Sequence, residues 1–217
     1  MIKMITKTLL LSIFAFSALA DDRPFQWTGD SVRMVESGDP VNGEKLAKQH
    51  KCSKCHGDDG IAEDDESPSI AGQLRGYHYK QFMDYRSGVR DDKDMRKLAK
   101  KLSDQEIADL AAHFEKLLPE FPPRRNAPRM ATRGDDTRLL ISCNECHGEE
   151  GKGYGYETPR LWGQKVVYFT ETMMAFKEGD RENDDYGRMR FIANRLTDQE
   201  IEDLAKYYSM PPMKEGD

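Results

Sequence analysis

The chain has only four cysteines in 217 residues, and none lies outside two nine-residue stretches. That concentration leaves no thiol for cross-links elsewhere. Apolar residues are also scarce, at 37% of the composition against 33% charged, and mean hydropathy is −0.80. Two small domains built from so little apolar material need an additional source of core or cross-linking. No segment alternates apolar and polar residues as a half-buried strand would. Basic charge is not in excess either: the net charge is −6, and without Lys3 and Lys7 of the first twenty residues 31 basic side chains face 39 acidic ones, or −8. A net field of this sign does not draw the protein to nucleic acid or anionic lipid. It points instead to partners with basic docking surfaces.

A long apolar run is missing beyond the amino terminus. The opening "MIKMITKTLLLSIFAFSALADD" has a lysine-bearing start, an apolar run from Leu9 to Phe16, and Ala18-Leu19-Ala20 as an A-x-A cleavage site. The run is short for a membrane span, and the pattern predicts a secretory signal peptide over 1–20 and a periplasmic mature protein starting near Asp21.

What is present is duplicated. "CSKCHGDDG" at Cys52 to Gly60 returns as "CNECHGEEG" at Cys143 to Gly151, an offset of 91. The same offset carries Pro68 onto Pro159, Gly72-Gln73 onto Gly163-Gln164, Tyr77 onto Tyr168 and Gly88 onto Gly179. Past Gly88 the second copy gains three residues, so Met95 meets Met189 and "LSDQEIADLA" meets "LTDQEIEDLA" at an offset of 94. Ordered matches of this kind mark a tandem duplication.

Each copy reads as helical. Pro40 to Gln49 is a short helix with Asp39 as its candidate N-cap. Residues 57–76 are rich in Asp, Ser, Pro and Gly and read as loop. A middle helix runs from Tyr77 to Ser87 and stops at Gly88. Ser103 with Glu106, and Thr197 with Glu200, are capping boxes that open the last helices. Their apolar faces are Ile107, Leu110, Ala111, Phe114 and Leu118, and Ile201, Leu204, Ala205 and Tyr208. "PEFPPRRNAPR" between the copies is a stiff linker that no continuous helix can cross. The expected organisation is an all-α protein: an N-terminal extension at 21–39, a first domain at 40–118, a linker at 119–129 and a second domain at 130–217.

C-x-x-C-H is the attachment signature of c-type haem. The two thiols add to the porphyrin vinyl groups as thioethers, and the adjacent histidine is thereby held against the iron. Three other readings exist. A redox-active C-x-x-C wants a βαβ context, which is not visible. A four-cysteine zinc site would have to clip across 87 intervening residues. Two vicinal disulfides would leave His56 and His147 without a role. Two covalently bound haem c groups, attached through Cys52, Cys55, Cys143 and Cys146, use every cysteine and supply the missing apolar core.

The opposite face of each iron wants a second ligand. Two methionine pairs match across the repeat: Met95 with Met189, in a polar segment readable as a loop, and Met83 with Met174, mid-helix, where methionine often fills core. His50, His78 and His113 have no histidine at their repeat positions and read as surface or packing residues.

The assembled pattern resembles the class I cytochromes c, and specifically the two-haem cytochrome c4 family. It is C-x-x-C-H-G-x-x-G, then P-x-L/I-x-G-Q-x-x-x-Y, then a methionine seven residues before L-S/T-D-x-E-I, twice over. The resemblance implies a class I cytochrome c domain around each haem, with iron held by His56 and Met95 and by His147 and Met189. It implies that Pro68 and Pro159 present carbonyls to the axial histidines and that Tyr77 and Tyr168 pack near haem, although both tyrosines equally suit plain helix core. It also implies an electron carrier, not an enzyme, with no substrate bound at iron. Such a carrier relays single electrons from a quinol-oxidising complex or periplasmic dehydrogenase to a terminal oxidase or other acceptor. Alternatives are a dedicated cytochrome subunit of a periplasmic dehydrogenase, for example in sulfur-compound oxidation, and a two-haem peroxidase. Asp58-Asp59 and Glu149-Glu150 either steer a basic partner or form ordinary solvated loop.

Overall fold

The structure, a computed structural model, describes residues 23–117 and 126–209. The expected leader, Leu118, most of the proline-rich linker and the final residues lie outside that range.

Among the described residues the chain is helical, with isolated bridges but no extended strand. The first half holds α1 (Gly29–Glu36), α2 (Pro40–His50), α3 (Ser53–His56), α4 (Arg75–Ser87), α5 (Lys93–Ala99) and α6 (Asp104–Lys116). The second holds α7 (Arg129–Thr132), α8 (Cys143–His147), α9 (Val166–Glu178), α10 (Arg188–Ala193) and α11 (Asp198–Tyr208).

The boundaries follow from local chemistry. Asp39 accepts the Val41 N–H, and Pro40 sits where its missing N–H costs nothing. Both capping boxes are formed, by Ser103 with Glu106 and by Thr197 with Glu200. Helices α4 and α9 stop at Gly88 and Gly179, whose φ angles of +93° and +87° suit glycine.

One kind of segment differs from expectation, and another differs between the halves. Met95 and Met189 lie on the helices α5 and α10, not on loops; Asp92 starts α5 by accepting the N–H groups of Asp94 and Met95. The segment leading into Cys143 is not a copy of α2. After the four residues of α7, Asp135 and Leu140 exchange backbone hydrogen bonds of 2.7 and 2.9 Å around a tight turn. The Asp135 carboxylate accepts the Thr137 N–H inside that turn, an alternative to helical pairing.

Two hydrophobic clusters form. Val35, Leu46, Phe82, Ile107, Leu110 and Phe114 belong to the first, and Phe169, Phe176, Leu196, Ile201, Leu204 and Tyr208 to the second. In the first, α2 crosses α6 so closely that a Cβ on Gly43 would lie 2.0 Å from the Asp109 carbonyl oxygen.

The halves meet through an approximate two-fold built from repeat mates. Gln73 reads both backbone groups of Arg160, accepting its N–H at 2.8 Å and donating to its carbonyl at 3.0 Å. Gln164 does the same to Ser69, at 2.8 and 3.1 Å. Ser69 and Arg160 are themselves 91 positions apart. Reciprocal contact of equivalent residues is the pattern of an isologous interface.

One contact breaks the symmetry. Asp84, fully buried, accepts from Phe25 N (2.8 Å), Lys80 Nζ (2.5 Å) and Asn183 Nδ2 (2.7 Å). Lys80 also donates to the Asn183 carbonyl at 2.5 Å. Glu171 and Ala175 occupy the repeat positions of Lys80 and Asp84, so no counterpart exists across the two-fold. Residues 23–37 thereby become a strap: Trp27 packs between Tyr79 of the first half and Tyr156 of the second, and Tyr156 donates to Glu36.

Removing one member of a buried ion pair leaves an uncompensated charge. Asp84→Ala strands the Lys80 ammonium and the Asn183 amide, and chemical denaturation should show a loss of about 3–5 kcal/mol. A loss under about 1 kcal/mol, the level of a surface pair, would contradict this role.

Candidate functional site

In each half the two thiols sit one helical turn apart, Cys52 and Cys55 at α3 and Cys143 and Cys146 on α8. Positions three apart on a helix share a face, and the following histidine ends the turn. The four cysteines form no disulfide. Burial pushes the Cys52 and Cys143 thiols up to about 11. A redox-active C-x-x-C needs the opposite, a thiol that ionises easily. Among the described residues no group of three or more His, Cys, Asp or Glu is arranged to hold a metal ion.

The imidazoles are held identically. His56 Nδ1 lies 2.9 Å from the Pro68 carbonyl oxygen, and His147 Nδ1 lies 2.9 Å from that of Pro159. A carbonyl only accepts, so Nδ1 carries the proton and Nε2 keeps its lone pair. Burial lowers the pKa of both rings and favours this neutral form, although the Pro68 and Pro159 carbonyls act in the opposite direction. A histidine that donates one ring N–H to a backbone carbonyl is the usual arrangement of a metal ligand.

The methionines divide less sharply. Met95, Met189, Met83 and Met174 are all partly buried against their clusters, so burial alone does not choose between the pairs. Asp92, the cap of α5, lies close enough to His56 to act on its charge, which brings the start of the Met95 helix near that ring.

Tyr77 and Tyr168 are neither plain core nor free. Arg181 Nη2 donates to Tyr77 Oη at 3.1 Å, and Arg90 Nη2 to Tyr168 Oη at 2.8 Å. Burial raises the Tyr168 phenol, but the Arg90 and Arg181 guanidiniums outweigh it and hold the group down to about 8. Among the described residues neither arginine has a carboxylate within ion-pair distance; their other acceptors are Gln81 and, for Arg181, Asn183. Among the described residues, Arg160 Nε and Trp27 Nε1 are buried donors with no acceptor. The interface is thus rich in cations and N–H groups that suit carboxylates. Arg90 and Arg181 are repeat mates only at the offset of 91, which holds for two residues past Gly88.

Of the remaining histidines, His78 is buried, its Nε2 3.1 Å from the Ile70 carbonyl oxygen, while His50 and His113 are partly exposed. All three fit packing or surface roles.

Residues 38–114 match the protein family described as cytochrome c oxidase, cbb3-type, subunit III. A thiosulfate dehydrogenase electron acceptor of Stutzerimonas stutzeri (strain A1501) is 35% identical over 173 residues, 76% of this chain and 80% of that protein. Cytochrome c4 of Thiocapsa roseopersicina is 34% identical over 189 residues, 82% of this chain and 96% of that protein. The crystal structure of reduced recombinant cytochrome c4 from Pseudomonas stutzeri superposes with a TM-score of 0.72 at 30% identity, covering 80% of this chain and 99% of that one.

His78 supplies a pH test. Desolvation lowers its pKa from 6.5 to about 4. As pH falls below 6.5 the unfolded chain takes up a proton that the folded chain refuses until about pH 4, so stability is lost across that window. Denaturation of the wild type should show about 3 kcal/mol more loss than His78→Gln between these limits. Parallel pH profiles would contradict the assignment.

Proposed function

Because the chain belongs to the cytochrome c4 family of dihaem electron-transfer cytochromes, we propose that each half carries one haem c and that the pair relays single electrons in the periplasm. Cys52 and Cys55 tether the first group and Cys143 and Cys146 the second. His56 with Met95, and His147 with Met189, would hold the two irons. The two haem domains span 40–118 and 130–217, joined by the linker at 119–129, and the leader at 1–20 exports the chain. Separate hydrophobic clusters and the duplicated motif support this division.

One observation carries the reading: in both halves an imidazole gives its Nδ1–H to a proline carbonyl, next in sequence to two thiols that form no disulfide. Arg90, Arg181, Arg160 and Trp27 offer donors for the porphyrin carboxylates. Haem iron supplies a one-electron couple, and a methionine ligand favours its reduced state. The protein's own part is to fix each imidazole, exclude water with the two clusters, and keep the halves in one orientation through Gln73 and Gln164. With these residues holding the two groups, the chain would serve as an electron carrier.

A second reading concerns the donor. The 35% identity to a thiosulfate dehydrogenase electron acceptor supports service as the dedicated acceptor of a sulfur-compound dehydrogenase, beside general supply to a terminal oxidase. Co-purification with a dehydrogenase subunit supports the dedicated role; isolation with an oxidase or quinol-oxidising complex supports the general one.

The ligand assignment is tested by substitution. Met95→Ala and Met189→Ala should each remove one haem's share of the weak sulfur-to-iron absorption band and lower that haem's potential. Met83→Ala and Met174→Ala should leave the band intact. Loss of the band in the second pair, or fewer than two haems per polypeptide in the wild type, would overturn the assignment.

A further inference from the structure

We infer that Glu157 and Asp185 hold a single proton between them, and that this proton latches the turn before α10 to the loop that packs on the strap. It is a proton-binding site of the second half alone. The site stands on the protein's own groups; only its consequence for Met189 rests on the dihaem reading above.

The two halves start their methionine helices differently. Helix α5 has its own cap, Asp92, which accepts the N–H groups of Asp94 and Met95. At the offset of 94 the second copy has Tyr186 in that place. The residue before α10 is Gly187, which gives no side-chain cap, and Asp184 reaches across the turn to accept the Arg190 N–H at 3.0 Å. That reach needs a tight 3-10 turn, Asp185–Gly187, in which Tyr186 has φ +58° and Gly187 +66°. A left-handed tyrosine persists only where its surroundings over-determine it. The Tyr186 side chain is 91% exposed, so the hold comes from the residues beside it.

Asp185 supplies that hold. Its Oδ1 is buried and, among the described residues, has no hydrogen-bond partner. The Glu157 carboxyl stands within hydrogen-bonding reach of the same side chain. Two carboxylates only accept, so they repel; one proton between them makes a donor and joins them. The cations that face the pair do not replace it. Arg188 Nη2 is 3.4 Å from Glu157, Lys80 is committed to Asp84 and the Asn183 carbonyl, and Arg190 is committed to Asp184. Arg23 of the strap lines the same hollow as Asp185. Burial, then the Asp185 charge and hydrogen bond, outweigh Arg188 and Lys80 and hold the Glu157 carboxyl above its ordinary range. That is the behaviour of two acids sharing one site.

Glu157 lies in a loop closed by the Tyr154–Thr158 bridge. Its neighbour Tyr156 packs on Trp27, donates to Glu36 and leaves no room for a Cβ on Gly76. The proton therefore ties the strap-bound loop to the start of the helix that carries Met189. In the first half Glu66 takes the repeat place of Glu157 and is exposed, and α5 is capped without a proton. The folded pair keeps its proton at a pH where the unfolded chain has released it. Its contribution is thus complete at and below the ordinary 4.5 and is lost as pH climbs through the folded value.

The test is urea denaturation of the holoprotein from pH 4.5 to neutrality, with Glu157→Gln and Asp185→Asn beside wild type. Either amide supplies a permanent donor. The ratio of the wild-type to the variant folding constant should fall several-fold as pH rises; groups common to both, His78 included, cancel. Infrared spectra above the ordinary carboxyl range should show one protonated carboxyl that both variants lack. In Met95→Ala the remaining sulfur-to-iron band reports Met189 and should be lost at lower urea as pH rises; in Met189→Ala the Met95 band should not respond. Parallel profiles for wild type and both variants, or no protonated carboxyl, would overturn the inference, as would an equal response of the two bands. A haem content below two per polypeptide would instead sink the dihaem reading, and the denaturation and infrared results would still decide the proton site.

Discussion

Everything at the site depends on one hydrogen bond made twice, from an imidazole Nδ1–H to a proline carbonyl. It fixes the tautomer, turns the ring and leaves Nε2 as the only nitrogen with a lone pair. The residue after each proline, Ser69 or Arg160, is then gripped through its backbone by a glutamine of the other half. The interface and the two histidines are thus one chain of contacts. Neither ring can turn without moving a strand of loop that the opposite half holds. For a protein that passes charge between two centres, a fixed orientation is worth more than any added contact at one of them.

Symmetry organises the molecule, and its breaches carry the specificity. Gln73 with Gln164, Tyr77 with Tyr168 and Arg90 with Arg181 are repeat mates that face each other across the halves. The Asp84 hub and the strap through Phe25 and Trp27 have no mates. They lock one side of the interface where a purely two-fold contact would leave equivalent seams. A buried ion pair of this kind adds less to stability than to the choice of one arrangement among several, because its desolvation offsets much of its attraction.

Much of this was legible in the sequence because its causes are local. The C-x-x-C-H turn, the capping boxes at Ser103 and Thr197, the Asp39 cap and the stops at Gly88 and Gly179 each depend on residues within one or two turns. The carbonyls of Pro68 and Pro159 were expected from the family resemblance and lie where it puts them. Long-range contacts were not legible. Nothing near Trp27 announces Tyr156, and nothing near Asp84 announces Asn183, since each pair is separated by about a hundred residues or more. The helices that carry Met95 and Met189 are hard to see in the sequence because seven or fewer residues show little periodicity; the Asp92 cap is the local signal for the first. The segment before Cys143 kept its spacing but lost its helix because Gly134 and Asp135 favour a turn.

The most direct measurement is the proton NMR spectrum of the reduced holoprotein. A methionine methyl bound over a porphyrin is driven far upfield by the ring current. The account predicts two such methyl signals of equal intensity, assigned to Met95 and Met189. One signal, none, or assignment to Met83 or Met174 would contradict it.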